Sequence, residues 1–346
     1  MPRISQAGTL YRPVKKDLSY KKDDEVVQSF TEPDVFIYRK NGVHSALFNK
    51  KGKPTFFKGG STFKKHFVEP FEGDKVAANL ASHWTGLYEK LKELKDAGLP
   101  TPKEILKQLT RMRKGIQKLW KDKGQSTSTF GNGLHRYREL VNLGEDPQEA
   151  IDMILRSVKD TRKRYMENLE IGEEIFKNKK SADENYAKPT HKDIRNMMKM
   201  SDEEIIDYIN QMESEFQELD KSLGFHTIET LPEVYVTALD MIMGGEIDRL
   251  LIKDLDKKIC RVQDYKVQGD LDEVDPNTKM INELAKKKAT KLDVIVIQLS
   301  YYAYCLWRAG WTVEGGDVFG RDGEWEHYEI ELIPMEEMDE LLKKYL

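Results

Sequence analysis

Asp248, Asp264 and Lys266 combine charge and spacing in a way that suits chemistry. Asp264 and Lys266 stand two apart in the strand-like run KICRVQDYKV (258–267), so both side chains point to one face. Asp248 lies in the preceding strand-like run, GEIDRLLIK (245–253), and DLDKK (254–258) reads as the turn between them. Facing residues in an antiparallel pair lie equally far from the turn centre. Residues 248 and 264 are equidistant from residue 256, so without a bulge the two aspartates face each other, with Cβ atoms about 5 Å apart. Like charges at that distance in an apolar hairpin repel each other. A divalent cation between them relieves the cost, and hard oxygen donors favour Mg²⁺ or Mn²⁺. Lys266 beside such an ion suits phosphate chemistry: it would orient a water nucleophile or offset charge developing on phosphorus. On spacing alone the same residues also read as an exposed strand face with an ordinary ion pair.

The elements around this hairpin can be read along the chain. Residues 1–33 are polar and irregular and read as a partly ordered arm. Residues 34–57 alternate apolar and polar around Asn41-Gly42 and Lys51-Gly52, which predicts a small β-meander. Ser61 and Thr62 are expected to cap a helix carrying Phe63, Phe67 and Val68. Residues 74–122 have helical periodicity, broken at Gly98-Leu99-Pro100, with Thr101 as the next cap. A separate helix is expected over 126–142 after a Ser/Thr/Gly-rich entry. Residues 146–222 read as an inserted helical arm with a loop at 178–190; a coiled-coil surface is the alternative, but no heptad is sustained. Residues 233–243 are strand-like. Residues 292–308 are apolar almost all round and predict a helix buried between layers. Residues 324–333 alternate and close the sheet, and 335–345 form a terminal helix. The order helix, strand, strand, strand, helix, strand indicates an α/β (α+β) fold with a central mixed sheet flanked by helices. The domain reading is 1–124 for arm, meander and basic helices, and 125–346 for the core with its insertion at 146–222.

The 346 residues are 34% charged and 39% hydrophobic. No run of 18 apolar residues occurs, so no transmembrane helix is expected. The basic N-terminus lacks the apolar stretch of a secretory signal. Two cysteines, Cys260 and Cys305, supply neither a disulfide scaffold nor a four-cysteine metal centre, and a reducing cytoplasm is the expected compartment. Charge is uneven. Residues 1–130 carry 26 Lys and Arg against 14 Asp and Glu, and the remaining residues carry 30 against 46. A polyanion-binding surface joined to a carboxylate-rich part is one reading, and a plain solvated surface is the other.

Gly245-Glu246-Ile247-Asp248, then Asp264-Tyr265-Lys266, then Gln298-Leu299-Ser300-Tyr301-Tyr302 resemble the G-x-x-D, D-x-K and Q-x-x-x-Y motifs of the PD-(D/E)XK nuclease superfamily in its RecB-like branch. Upstream, Gly131-Asn132-Gly133-Leu134-His135 resembles that branch's G-x-x-x-H motif. The stretch from Ser61 to Trp120, with Phe71, Asp74 and Lys75, is similar to the N-terminal helical part of phage-type members related to the mitochondrial genome-maintenance exonuclease. Each motif alone is weak; four in the right order, on the expected elements, are specific. The motif-bearing core spans about residues 125–335.

The resemblance implies a restriction-endonuclease-like core and a role for each matching residue. Asp248 and Asp264 would bind Mg²⁺ or Mn²⁺ with the backbone carbonyl of Tyr265, and His135 would add an imidazole from the opposing helix. Lys266 would position the attacking water. Gln298 and Tyr302, one helical turn apart, would line the site and touch the DNA backbone. Glu233, in Pro232-Glu233-Val234, matches an acidic residue many members carry before the Asp248 strand. Outside that context, His135 reads as a helix-surface residue and Tyr302 as core. Ile247 replaces the superfamily's proline, as is usual for this branch, and Val267 stands where many members have threonine. The missing cysteines argue against an iron–sulfur member. No phosphate-binding G-x-x-x-x-G-K-[ST] loop is present, so no ATP is used; a separate helicase, recombinase or single-strand-binding protein is the kind of partner implied. The basic helices of 75–123, with Arg111, Arg113, Lys114, Lys118 and Trp120 as DNA-binding candidates, would guide a single strand or a frayed end. Their aromatics Trp84, Tyr88 and Trp120 read either as base-stacking platforms or as helix-packing core. The function expected is an exonuclease on single-stranded or frayed DNA ends in phage or bacterial replication, recombination or degradation. A structure-specific endonuclease and a catalytically inactive DNA-binding module are the alternatives.

Overall fold

A helix that is apolar on every side needs neighbours on every side. In the computed structural model of the chain, the run at Lys291–Arg308 forms such a helix, and every residue from Leu299 to Leu306 is buried. A capping box starts it. Thr290 Oγ1 accepts from the Asp293 N–H at 3.0 Å, and Asp293 Oδ2 accepts from the Thr290 N–H at 3.1 Å. The structure describes residues 3–4, 9–11, 25–31, 35–40, 43–48, 58–175, 187–224, 228–230, 233–239, 241–267, 270–274, 279–286 and 290–346.

In chain order the strands are β1 (Arg3–Ile4), β2 (Thr9–Tyr11), β3 (Glu25–Gln28), β4 (Val35–Lys40), β5 (Val43–Phe48), β6 (Lys58–Gly59), β7 (Ile228–Thr230), β8 (Glu233–Ala238), β9 (Met241–Glu246), β10 (Arg249–Asp254), β11 (Ile259–Lys266), β12 (Thr312–Arg321) and β13 (Trp325–Ile330). The helices are α1 (Gly60–Phe63), α2 (Gly73–Trp84), α3 (Tyr88–Asp96), α4 (Lys103–Leu143), α5 (Gln148–Ile175), α6 (Lys192–Met197), α7 (Asp202–Leu223), α8 (Lys291–Arg308) and α9 (Met335–Tyr345). The chain is thus mixed α/β. Among the described residues no helix is long and apolar enough to cross a membrane.

The chain divides into two compact units. One comprises Met1–Pro70, His135–Pro147 and Met212–Leu346; the other comprises Phe71–Leu134 and Gln148–Gln211. The first unit holds a mixed seven-stranded sheet, ordered β1-β2-β7-β10-β11-β12-β13. In it β10 and β11 run antiparallel, while β11 and β12 run parallel and are joined through α8. Leu250, Ile252, Cys260, Val262 and Val318 face the α8 core. On the opposite face, Tyr265 and Phe319 pack with Phe216 of α7. A second sheet, β6-β9-β8, presents Val234, Val236 and Met243 to the same α8 core. The expected burial of this helix between layers is therefore observed. A third sheet, β3-β4-β5, contains the expected hairpin. Lys40 pairs with Val43, so two residues join β4 to β5. Residues 41–42, like Lys51-Gly52, lie outside the described residues.

The second unit is helical. Trp84 and Trp120 pack against Ala77, Ala81, Met112 and Ile116. A Cβ on Gly133 would stand 2.6 Å from Ile154 Cγ1, so α4 and α5 approach too closely there for any larger residue. Arg162 of α5 donates to the Met197 and Met198 carbonyls at 2.9 and 3.0 Å and satisfies the end of α6.

Several elements depart from the sequence reading. The arm of 1–33 contributes β1 and β2 to the large sheet and β3 to the third sheet. Ser61 and Thr62 lie inside α1, whose N-cap is Gly59 with no side-chain cap. No new helix begins at 126, because α4 runs unbroken from Lys103 to Leu143. The Ser/Thr run stays helical by bonding back to the preceding turn: Ser126 Oγ donates to Asp122 O at 2.9 Å and Thr129 Oγ1 to Gln125 O at 2.9 Å. Strand β12 has no counterpart in the sequence reading. Gly315, Gly316 and Gly320 interrupt its pattern, yet Gly316 fits a close approach: a Cβ there would lie 3.0 Å from Ile330 and 3.2 Å from the Val262 carbonyl.

One buried acid ties the strands together. Asp317, with 2% of its side chain exposed, accepts from Arg261 Nε and Nη2, both at 3.0 Å, and from Gln263 Nε2 at 3.2 Å; His327 Nε2 lies 3.0 Å away. Burial opposes its charge, but the hydrogen bonds from His327, Arg261 and Gln263 outweigh burial and lower its pKa from 3.8 to about 2. A folded-state pKa below the unfolded value adds stability above about pH 4, which is lost as pH falls toward 2. The loss is about 2 kcal/mol. Urea unfolding between pH 2 and 5 should show this slope, and Asp317→Asn should remove it while lowering stability at pH 7.

Candidate active site

The hairpin registers as its sequence requires. Arg249 faces Gln263, Leu250 faces Val262 and Ile252 faces Cys260, which sets Asp248, one step further on, opposite Asp264. A bulge between Ile252 and Asp254 beside the turn at 255–258 does not disturb this register. Asp248 itself is not within a strand, in contrast to the sequence reading. It occupies the two-residue corner where the chain leaves β9 in one sheet and enters β10 in another. Glycines make the corner: Gly244 has φ of 152°, and a Cβ on Gly245 would stand 2.9 Å from Tyr302 Cε1. The first glycine of G-x-x-D thus leaves room for the tyrosine of Q-x-x-x-Y.

Four of the expected residues meet at this corner. Asp248 Oδ2 accepts from the Tyr265 N–H at 3.1 Å and lies 3.6 Å from His135 Nδ1. Lys266 Nζ lies 2.5 Å from Asp264 Oδ2 and donates to the Tyr265 carbonyl at 3.1 Å. His135, on the last part of α4, meets the Tyr265 ring edge-on at 5.8 Å. Gln298 and Tyr302 share one face of α8, with Gln298 Nε2 donating to Tyr302 Oη at 3.3 Å.

Charge and burial set the protonation states. Burial, then the charge of Lys266, lowers the His135 pKa to about 4, so its imidazole is neutral at neutral pH and keeps a lone pair. Burial raises the pKa of Asp264, opposed by Lys266 and reinforced by Asp248. Burial works against the Lys266 ammonium, but Asp264 and Asp248 together raise its pKa. Tyr302 is held as a phenol by burial first and by the two carboxylates as well, against the opposing effect of its bond with Gln298.

The donors suit a metal, but they are not closed around one. Among the described residues no group of three or more His, Cys, Asp or Glu side chains is arranged to hold an ion. Asp264 Oδ2 is buried without a well-directed hydrogen bond, and the Lys266 ammonium supplies the positive charge beside it and beside the Tyr265 carbonyl. Two carboxylates, a carbonyl and a neutral imidazole around an existing cation form a donor set that fits Mg²⁺ or Mn²⁺.

Comparison with protein-family models, with curated proteins and with solved structures returns no match for this chain.

The remaining candidates fall in β8 and in the helical unit. Glu233 opens β8 in register with Glu246, and its side chain is outside the described residues. Arg111 and Lys114 are exposed on α4, and Arg113 is half-buried. Lys118 is engaged by Asp122 at 2.7 Å and Asn168 at 3.3 Å. Trp84 and Trp120 belong to the helical core, which favours the packing reading of both. Tyr88 is 40% exposed and stacks on His83 at 4.0 Å.

Two residues at the site escape the sequence reading. Arg138, one turn beyond His135, is buried over the Phe216 ring at 3.2 Å and bonded to Glu213 at 3.1 Å. Lys64 donates to Gln298 Oε1 at 2.7 Å. The spacing of Arg138 from His135 is a readable signal, whereas nothing near Lys64 in sequence points to α8.

Proposed function

We propose that the chain is a metal-dependent DNA nuclease built on a PD-(D/E)XK-type core, acting as an exonuclease on single-stranded or frayed ends. The observation that carries this reading is the meeting of Asp248, Asp264, Lys266 and His135 from three separate stretches of chain, with the Gln298–Tyr302 pair on α8. The parallel β11–β12 pair joined by α8, after the antiparallel β10–β11 hairpin, supports it.

Asp248, Asp264, the Tyr265 carbonyl and His135 would hold Mg²⁺ or Mn²⁺. The bound ion would withdraw charge from a phosphodiester group. Lys266, kept protonated by its two carboxylates, would orient the attacking water and offset charge as the phosphorus becomes five-coordinate. Gln298 and Tyr302 would fix the strand's backbone through neutral hydrogen bonds. The neutral His135 adds a donor nitrogen without adding repulsion. Arg111 and Lys114, exposed on α4, would contact backbone phosphates in this reading.

A time course on end-labelled linear single-stranded DNA beside a circular control, with Mg²⁺, Mn²⁺ or EDTA, tests it. Stepwise shortening of the linear strand with either metal, an intact circle and no reaction in EDTA is expected. Cleavage of the circle would replace the exonuclease by an endonuclease. No cleavage of linear, circular, duplex or flap DNA would overturn the nuclease reading.

A further inference from the structure

Lys64 is a half-buried cation with no carboxylate within ion-pair distance among the described residues. Among the described residues its one hydrogen bond runs to a neutral amide, Gln298 Oε1 at 2.7 Å. A partly buried ammonium without an acid partner is costly unless an anion arrives from outside. Burial lowers its pKa first and the charge of Lys266 second, while Asp264 raises it, so Lys64 stands within the field of the site.

Its position is built. Phe63 and Phe67 on either side of the short turn Lys64–His66 are fully buried. A Cβ on Gly60 would lie 3.1 Å from Tyr301 Cδ1 and 3.3 Å from Tyr302 Cε1, so α1 is pressed against α8. The chain Lys64 to Gln298 to Tyr302 is ordered by bonds of 2.7 and 3.3 Å. An ammonium has three donors, and the amide uses one.

We propose that Lys64, held by Gln298, binds a substrate phosphate adjacent to the one being cut, either within the strand or at its end. The inference rests on the nuclease reading above. It gives the two cations different roles, with Lys266 serving Asp264 and the reacting group and Lys64 serving the neighbouring phosphate.

Two readouts test it. In steady-state cleavage of single-stranded DNA, Lys64→Met should raise KM about tenfold, the effect of one charge-assisted hydrogen bond, with kcat within about twofold. Lys64→Arg should restore most of that loss. In the cleavage-dead Asp264→Ala background, adding Lys64→Met should reduce the slope of log affinity against log salt by about 0.7, one released counterion on a single strand. Substrates with phosphorylated and hydroxyl ends separate the two sources. Equal loss on both assigns a phosphate within the strand, and loss confined to the phosphorylated end assigns a terminal one. If the wild type cleaves but Lys64→Met keeps both KM and salt slope, the Lys64 inference is wrong and the nuclease reading stands. If the wild type neither cleaves nor binds DNA, both fall.

Discussion

Asp264→Ala is expected to lower metal-dependent DNA cleavage by at least about a thousandfold, the scale on which removing one preorganised charge-stabilising group acts. The fold should survive, because the aspartate is a net cost to the folded chain: burial and Asp248 together disfavour its charge by more than the Lys266 ammonium favours it. Removing it takes away a repulsion and leaves the Lys266 ammonium with the Tyr265 carbonyl and the nearby Asp248. Thermal stability should therefore be unchanged or raised while activity is lost, and DNA binding in EDTA should persist. A large fall in stability would recast Asp264 as a structural partner of Lys266.

Arg138→Leu is expected to destabilise the first unit by about 3–5 kcal/mol, the cost of stranding one partner of a buried ion pair. Arg138 has 2% of its side chain exposed and Glu213 has 8%. Without Arg138, Glu213 keeps the Gln217 amide at 3.1 Å and the more distant charge of Arg249, with no direct ion pair among the described residues. The guanidinium also lies over Phe216 and, at 4.7 Å, over the Tyr265 ring. It thus anchors the turn of α4 that carries His135, and activity should fall with stability. Adding Glu213→Leu should recover part of the lost stability by removing the stranded charge, which urea unfolding of the single and double variants would measure.

The hairpin is legible in the sequence because register depends only on turn position and strand pairing, both local. The α8 helix is legible because its apolar residues leave no polar face. Strand β12 is not, since its Gly316 answers to Ile330 and the Val262 carbonyl, partners remote in sequence. The unbroken α4 is hidden by a Ser/Thr run whose hydroxyls bond back to their own helix. Within the site, four short motifs mark Asp248, Asp264, Lys266, His135, Gln298 and Tyr302 without any knowledge of the fold. Lys64 and Arg138 escape because their roles come from contacts with Gln298 and Glu213, which lie far along the chain.

Residues from α4, the β9–β10 corner and β11 are proposed to form one metal-binding hydrolytic site. Crystals of the protein soaked in Mn²⁺ and measured at the manganese absorption edge test it most directly. An anomalous peak touching Asp248 and Asp264 is expected, with the His135 imidazole beside it and the Lys266 ammonium moved off Asp264. No peak there at saturating Mn²⁺ would contradict it.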